Sequence, residues 1–430
     1  MNWKLLPAGL GLALALGGCG GGGSDAAQPQ PPVTPEPPPA AQGLGKLELL
    51  AGKVTADLTD CHSANGPVAT AEFSSLLRAA VYADGVYLTE TGESCANVTY
   101  DAATGFFPVN LPAGIRKVSG GAVESLRLEP VVDAMDPTSI RYLSGFQRNA
   151  GTGESFVLSY AAASSGKFFQ IDAQEALRYN TVPDGYSWEN GWAYFPPGLF
   201  RVSTGRLVAG KPLQRQLPVY ADGQGATAGF VAPHDLEMDA SGVLYLIDQS
   251  QTVDDSGALQ ILGQPQIRAI DPGAGYLVKT LDLAALGIQG EVRALDSDAQ
   301  GRIHALTQRG DRSFSWYRLA DGAQVDFSLD DSPVAAGVGI SRRAPFTVAG
   351  NDLIVAISPG LNAATELYRV SGSDGKATRL TGTQTPATPQ DLLDNPAPYA
   401  FPDAPHLKYG ADGNLYIVLR QGVLVARDFK

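Results

Sequence analysis

The sequence predicts an all-β fold made of one four-strand unit repeated along most of the chain. Three observations predict it. Two long segments match, NGPVATAEFSSLLRAAVYADGVYLTE at 65–90 and DGQGATAGFVAPHDLEMDASGVLYLID at 222–248, sharing Gly, Ala-Thr-Ala, Phe, an apolar alternation and a Val/Leu-Tyr run. Shorter copies follow as EVRALDSDAQGRIHAL at 291–306 and APHLKYGADGNLYIVL at 404–419. Each copy is punctuated at the same place by a Gly-containing turn, where glycine or aspartate tolerates a positive φ.

The strands of a unit follow in order. The first is a short alternation that ends in ADG, ASG or AQG. The second follows directly as GVYLTE, VLYLID, RIHALT or NLYIVL, rich in the β-branched and aromatic residues that suit a pleated surface. The third reads IRKVS, LFRVS, QIRAID, WYRLA or LYRVS, and after another tight turn the fourth reads AVESLRL, RLVAG, YLVKTLDL, AQVDFSL or ATRLTG.

These units resemble NHL repeats, on the residues DGQGATAGFVAP, ASGVLYLID, QIRAID and YLVKTL of the third unit and ANGPVATAEF, ADGVYLTE and IRKVSGGAVESL of the first. The resemblance covers most of 46–430, weakly in the second unit, and implies a β-propeller, a fold that hosts many activities. Five units are complete. A sixth, PHLKYG, NLYIVL and GVLVARD, lacks its fourth strand, and KLELLAG at 46–52 matches RLVAG yet has no strands before it. The expectation is therefore a six-bladed propeller closed by a 3+1 clasp between the chain's two ends, which removes exposed sheet edges.

In such a meander the turns after the first and third strands lie on one face, and the remaining connections lie on the other. The long segments, among them 52–73, 91–112, 162–196, 249–264 and 384–403, all belong to the second face, which also carries the mouth of the axis. Binding residues concentrate on loops held by a rigid scaffold. The most aromatic segment, YNTVPDGYSWENGWAYFPPG at 179–198, offers Trp188, Trp192 and Tyr194 as a stacking platform for a sugar or peptide; the alternative is packing of a long loop onto the body.

His234 and Asp235 open a first strand at the mouth, and His406 follows a proline in the same way. A histidine there resembles the zinc ligands of the peptidyl-α-hydroxyglycine α-amidating lyases, so His234 and His406 are weak candidates for a divalent metal. Zinc wants at least three protein ligands, and units one, four and five carry SSLLRAAV, GEVRALDS and RAPFTVAG at that place. The spacing from proline to turn glycine also differs by one residue between the two copies, which can turn a side chain to the other face. Glu237 and Asp239 alternate with Asp235 and are expected to line a water-filled axis. His304 stands where Tyr245 and Tyr416 stand and reads as a packed aromatic substitute, and His62 reads as solvated. DQSQTVDDSG at 248–257 fits no calcium loop and is expected to be a solvated loop. No G-x-S-x-G, Walker, CxxC or EF-hand pattern is present, so no catalytic residue and no cofactor is assigned.

The N-terminus reads as a processing segment. Lys4 and the apolar run Leu5–Leu16 precede Leu16-Gly17-Gly18-Cys19, which resembles the lipobox of bacterial lipoproteins. This implies a signal peptide at 1–18 and lipidation of Cys19, with Gly20 favouring the outer membrane; the alternative is an ordinary secretory signal with an incidental cysteine. Residues 19–45 form a Gly-rich then Pro-rich linker with too little apolar surface to fold, its proline half an extended spacer of about 3.1 Å per residue. The propeller is assigned to 46–430. Cys61 and Cys95 then remain, both in connections on the loop-rich face of one unit, and are expected to form a disulfide, with two free thiols as the alternative. A net charge of −13 without a basic stripe argues against nucleic acid. The reading is a lipid-anchored envelope module that binds a protein, peptide or glycan; the alternative is a metal-dependent lyase or hydrolase at the channel mouth.

Overall fold

The structure, a computed structural model, describes residues 44–430 except 56–61, 91–113, 127–142, 160–162, 165–167, 172–176, 181–192, 195–197, 202–205, 211–219, 232, 250, 254–258, 262, 311, 330–344, 359–363 and 403–405. The protein is a β-propeller. Six of its sheets have four or five strands. In the first, Leu76–Tyr82, Gly85–Glu90, Gly114–Ser119 and Ala122–Leu126 pair in that order, and Gly66–Pro67 adds a fifth strand outside. The second holds Leu143–Arg148, Ser155–Ser159, Gly198–Arg201 and Arg206–Ala209. The third runs His234–Met238, Leu244–Asp248, Gln266–Asp271 and Leu277–Thr280, with Gly223–Gln224 outside. The fourth comprises Glu291–Ser297, Ile303–Gln308, Ser313–Arg318 and Gln324–Ser328, and the fifth Phe346–Ala349, Asp352–Ile357, Glu366–Val370 and Ala377–Arg379.

The sixth sheet contains both ends of the described chain. His406–Tyr409, Leu415–Leu419 and Gly422–Ala426 are completed by Leu47–Gly52, in a ladder running from Leu47 opposite Ala426 to Gly52 opposite Gly422. Gly52 is obligatory there: its φ is +78°, and a Cβ would lie 2.3 Å from the Gln421 carbonyl oxygen. The innermost strands contact one another in sequence order, and the innermost strand of the sixth sheet returns to that of the first, so the ring is closed.

The middle strands explain why strict alternation fades in this sequence. Ile303–Gln308 and Leu415–Leu419 are buried at every position, because the sheets on either side cover both faces. Ile354, Leu367, Leu407, Ile417 and Leu424 form one such packed layer between the fifth and sixth sheets. The outermost strand Leu47–Gly52 keeps exposed positions, Leu49 among them.

The matching segments at 65–90 and 222–248 correspond to one local device. In the first sheet Arg116 donates to Glu90 at 2.7 Å and to the Ala64 carbonyl at 2.8 Å, with its guanidinium 5.3 Å from the Phe73 ring. In the third, Arg268 donates to Asp248 at 3.0 Å and to the Ala221 carbonyl at 2.6 Å, over the Phe230 ring at 4.9 Å. The Phe of each Ala-Thr-Ala-x-Phe copy is thus the plate under a buried arginine that fastens the incoming chain. Asp248 is fully buried in this pair, which corrects its expected place in a solvated loop.

Candidate functional site

Antiparallel pairing fixes which connections share a face. Turns of two to six residues join each first strand to the second, and the third to the fourth in the first, third, fourth and fifth sheets, and all leave one face. The long connections, including 91–113, 160–197 and 380–405, leave the other. The innermost strands of the third and sixth sheets begin on that face with His234 and His406.

The extra residue in the third unit does not put these histidines out of phase. His234 stands opposite Ile247 and His406 opposite Val418, the same step along each second strand, because a bulge between His234 and Glu237 absorbs the insertion. The bulge leaves Asp235 at φ +56°, a conformation that costs a side-chain-bearing residue roughly 1 kcal/mol or more. What that conformation secures is visible in its carboxylate: Oδ1 accepts from Arg78 at 2.5 Å, and Oδ2 accepts from the Leu295 amide at 3.2 Å.

The axis is filled by polar side chains bonded to one another. Arg78, from the first sheet, donates Nε to His406 Nε2 at 3.2 Å and reaches Glu237 at 3.5 Å. The Ala79 amide faces His406 Nδ1 at 3.3 Å, so both ring nitrogens stand opposite N–H donors. One step deeper, Lys408 donates to Glu237 at 3.1 Å, Asp296 at 2.7 Å and the Ser297 carbonyl at 3.1 Å. Ser297 Oγ and Gln147 Nε2 also donate to Glu237, at 2.7 and 3.2 Å, and Thr347 Oγ1 donates to Asp296 at 2.9 Å. Ala80, Glu237, Asp296, Thr347 and Lys408 all stand opposite the same position of their second strands, and so form one layer across the ring.

Electrostatics follow from burial and pairing. Burial pushes the Glu237 carboxyl up against the pull of Lys408, and nearby Asp296 adds to the rise. Burial alone would lower the Lys408 ammonium, but Asp296 and Glu237 outweigh it and hold its pKa above the ordinary lysine value. The expectation of carboxylates lining a water-filled axis is therefore corrected. Glu237 is 2% exposed and its carboxylate is paired with protein donors. Asp239 is not part of the axis: it caps the next turn, accepting from the Ser241 and Val243 amides at 2.9 Å each.

Of the residues singled out from sequence, His234, Asp235 and His406 are gathered at the mouth. Tyr194 pairs with Ala163 through the backbone in a short ladder. Trp188, Trp192, Cys19, Cys61 and Cys95 lie outside the described residues. Among the described residues no group of three or more His, Cys, Asp or Glu side chains is arranged to hold a metal ion. Sequence reasoning passed over Arg78, Gln147, Asp296, Ser297 and Lys408. For Arg78 and Lys408 a signal was present: each sets a cation between apolar neighbours of an innermost strand, where a charge needs a partner. His304 is buried as expected of a packed substitute, and it also accepts from Trp316 Nε1 at 2.9 Å and lies 2.9 Å from Asp298 through Nε2.

No protein-family model matches the chain, and no curated protein matches it in sequence. Among solved structures it is similar to a protein of unknown function from Bacteroides thetaiotaomicron, at 12% identity over 88% of this chain and 75% of that one, with a TM-score of 0.47. It is similar to YCF48 bound to D1 peptide, at 12% identity over 91% and 98% of the two chains (TM-score 0.37), and to a luciferin-regenerating enzyme, at 10% identity over 66% and 90% (TM-score 0.31). Similarity this distant carries no argument about what the chain binds or catalyses.

Proposed function

We propose that the protein is a lipid-anchored binding module of the bacterial cell envelope, whose propeller presents its loop-bearing face to a protein, peptide or glycan. The observation that carries this reading is the asymmetry between faces: short turns on one side, the long connections and the axis mouth on the other. A rigid body with loops gathered at one rim is the arrangement in which binding residues are adjusted without disturbing the core. The side chains of the axis support it, since Arg78, Lys408, Asp235, Glu237 and Asp296 are engaged with one another and make a fixed floor under the loops. Anchoring through Cys19 and spacing by 19–45 complete the proposal.

Crosslinking pull-downs of the full chain from solubilised envelopes test the location. Replacing Trp188, Trp192 and His234 by alanine is expected to reduce capture of the specific partner at least about tenfold, as loss of central aromatic anchors does, whereas Arg318→Ala on the short-turn face leaves it unchanged. Equal capture by the triple variant and the native chain sinks the proposed surface. Cys19→Ser is expected to move the chain from the membrane fraction to the soluble fraction, and retention in the membrane counts against the anchor.

A further inference from the structure

The charges on the axis are distributed unevenly around the ring. Both cations come from the sheets that flank the join between the chain's ends: Arg78 from the first and Lys408 from the sixth. The three carboxylates they meet come from the far side, Asp235 and Glu237 from the third sheet and Asp296 from the fourth. The pairs span 157, 159, 171 and 112 residues of sequence.

Every other junction between neighbouring sheets is bridged by the peptide chain. The ring can open without breaking a covalent bond only where Leu47–Gly52 leaves Gly422–Ala426. That ladder is interrupted by a register shift between Leu49 and Ala51, and its outer strand is partly exposed. Opening it would let the first sheet swing away from the sixth, a motion that also breaks the Leu76 amide bond to the Arg420 carbonyl at 2.6 Å and the Arg78 bond to His406. Such a swing must also draw Arg78 or Lys408 away from its buried carboxylates, leaving charges uncompensated where water is scarce.

We propose that this axial layer is a second closure of the propeller: the two cations beside the join are drawn inward by carboxylates on the opposite wall, and so hold the terminal clasp shut from inside. The third-sheet bulge belongs to the device, since it brings Asp235 onto Arg78. The closure is independent of what the protein binds.

Amide hydrogen exchange of the full chain, followed by mass spectrometry, tests it. The variants are Lys408→Met and, as a control of comparable global destabilisation, Leu306→Ala, which empties a fully buried site in the fourth sheet. In Lys408→Met, exchange at 47–52 and 422–426 is expected to accelerate on the order of tenfold more than at 303–318, because the clasp opens locally. In Leu306→Ala that preference is expected to be absent. Uniform acceleration in Lys408→Met, an unchanged clasp, or the same preference in the control overturns the proposal. Asp235→Asn keeps the side-chain shape and tolerates the positive φ while removing the charge that meets Arg78, and gives a milder version of the same comparison if the lysine variant does not fold. A clasp no faster than 303–318 in that variant also overturns the proposal.

Discussion

The two faces of the propeller treat polar side chains in opposite ways. At the short-turn face, a turn aspartate meets an aromatic or imidazole group a few residues on: Tyr87 donates to Asp84 at 2.7 Å, Tyr245 to Asp239 at 3.3 Å and Tyr416 to Asp412 at 2.7 Å, while His304 meets Asp298 at 2.9 Å. Partners there are three to six residues apart. Toward the loop-bearing face, the partners of Arg78 and Lys408 lie in other sheets, more than a hundred residues away. The first arrangement is local and repeated, part-buried in the three tyrosine pairs and buried in the histidine pair. The second occurs once, is buried, and depends on the ring having closed. Local pairs fasten a single sheet; the axial layer ties different sheets together.

The sharpest way to break that contrast is Lys408→Met. Removing one member of a buried pair leaves the others uncompensated, so unfolding free energy is expected to fall by about 3–5 kcal/mol, read from a urea midpoint. A loss under about 1 kcal/mol would place the axial layer with ordinary surface pairs.

Acidification distinguishes the two regions by sign. Asp298 starts from an ordinary value of 3.8; burial raises it, but bonds from His304 and Arg302 outweigh burial and hold it well below that value. Its stabilisation is therefore present above about pH 4 and lost as pH falls through the depressed value. Glu237 is shifted the other way, from 4.5 upward. Its contribution is present below about pH 4.5 and lost as pH rises through the raised value. Stability against pH for Asp298→Asn should thus show a flatter acid limb than the native chain, while Glu237→Gln should remove a decline on the higher-pH side. Parallel curves for both variants would contradict the assignment.

The smallest effects belong to the turn pairs. Tyr87→Phe and Tyr416→Phe are each expected to cost about 0.5–1.5 kcal/mol in thermal or urea unfolding, and Tyr245→Phe less, since its bond is longer. Tyr245 and Tyr416 are both pushed up to about 12, first by burial and then by their aspartates. Their stabilisation is present below about pH 10 and lost through about pH 12, so ultraviolet titration should show these phenols ionising late. Ionisation near pH 10 in the folded chain would separate them from the aspartates.

Much of this architecture was legible. The tight-turn glycines and the aromatic second strands marked the units, because each unit solves the same local problem with the same residues. The likeness of KLELLAG to RLVAG revealed the clasp, as a fourth strand without its own sheet must find one elsewhere. The candidate site was legible only at its rim. His234, Asp235 and His406 stood out by residue type, whereas Arg78 was read as the mere absence of a histidine and Lys408 only as one position of a short first strand.

Sequence by itself determined the repeated sheet, its turns and the clasp, since these depend on neighbours in the chain and on hydrophobic period. Only tertiary structure decided that the axis is filled rather than open, and which cation meets which carboxylate. That choice is made by side chains from four sheets converging on one line, where each buried charge is stable only through partners the chain brings close after the ring has formed.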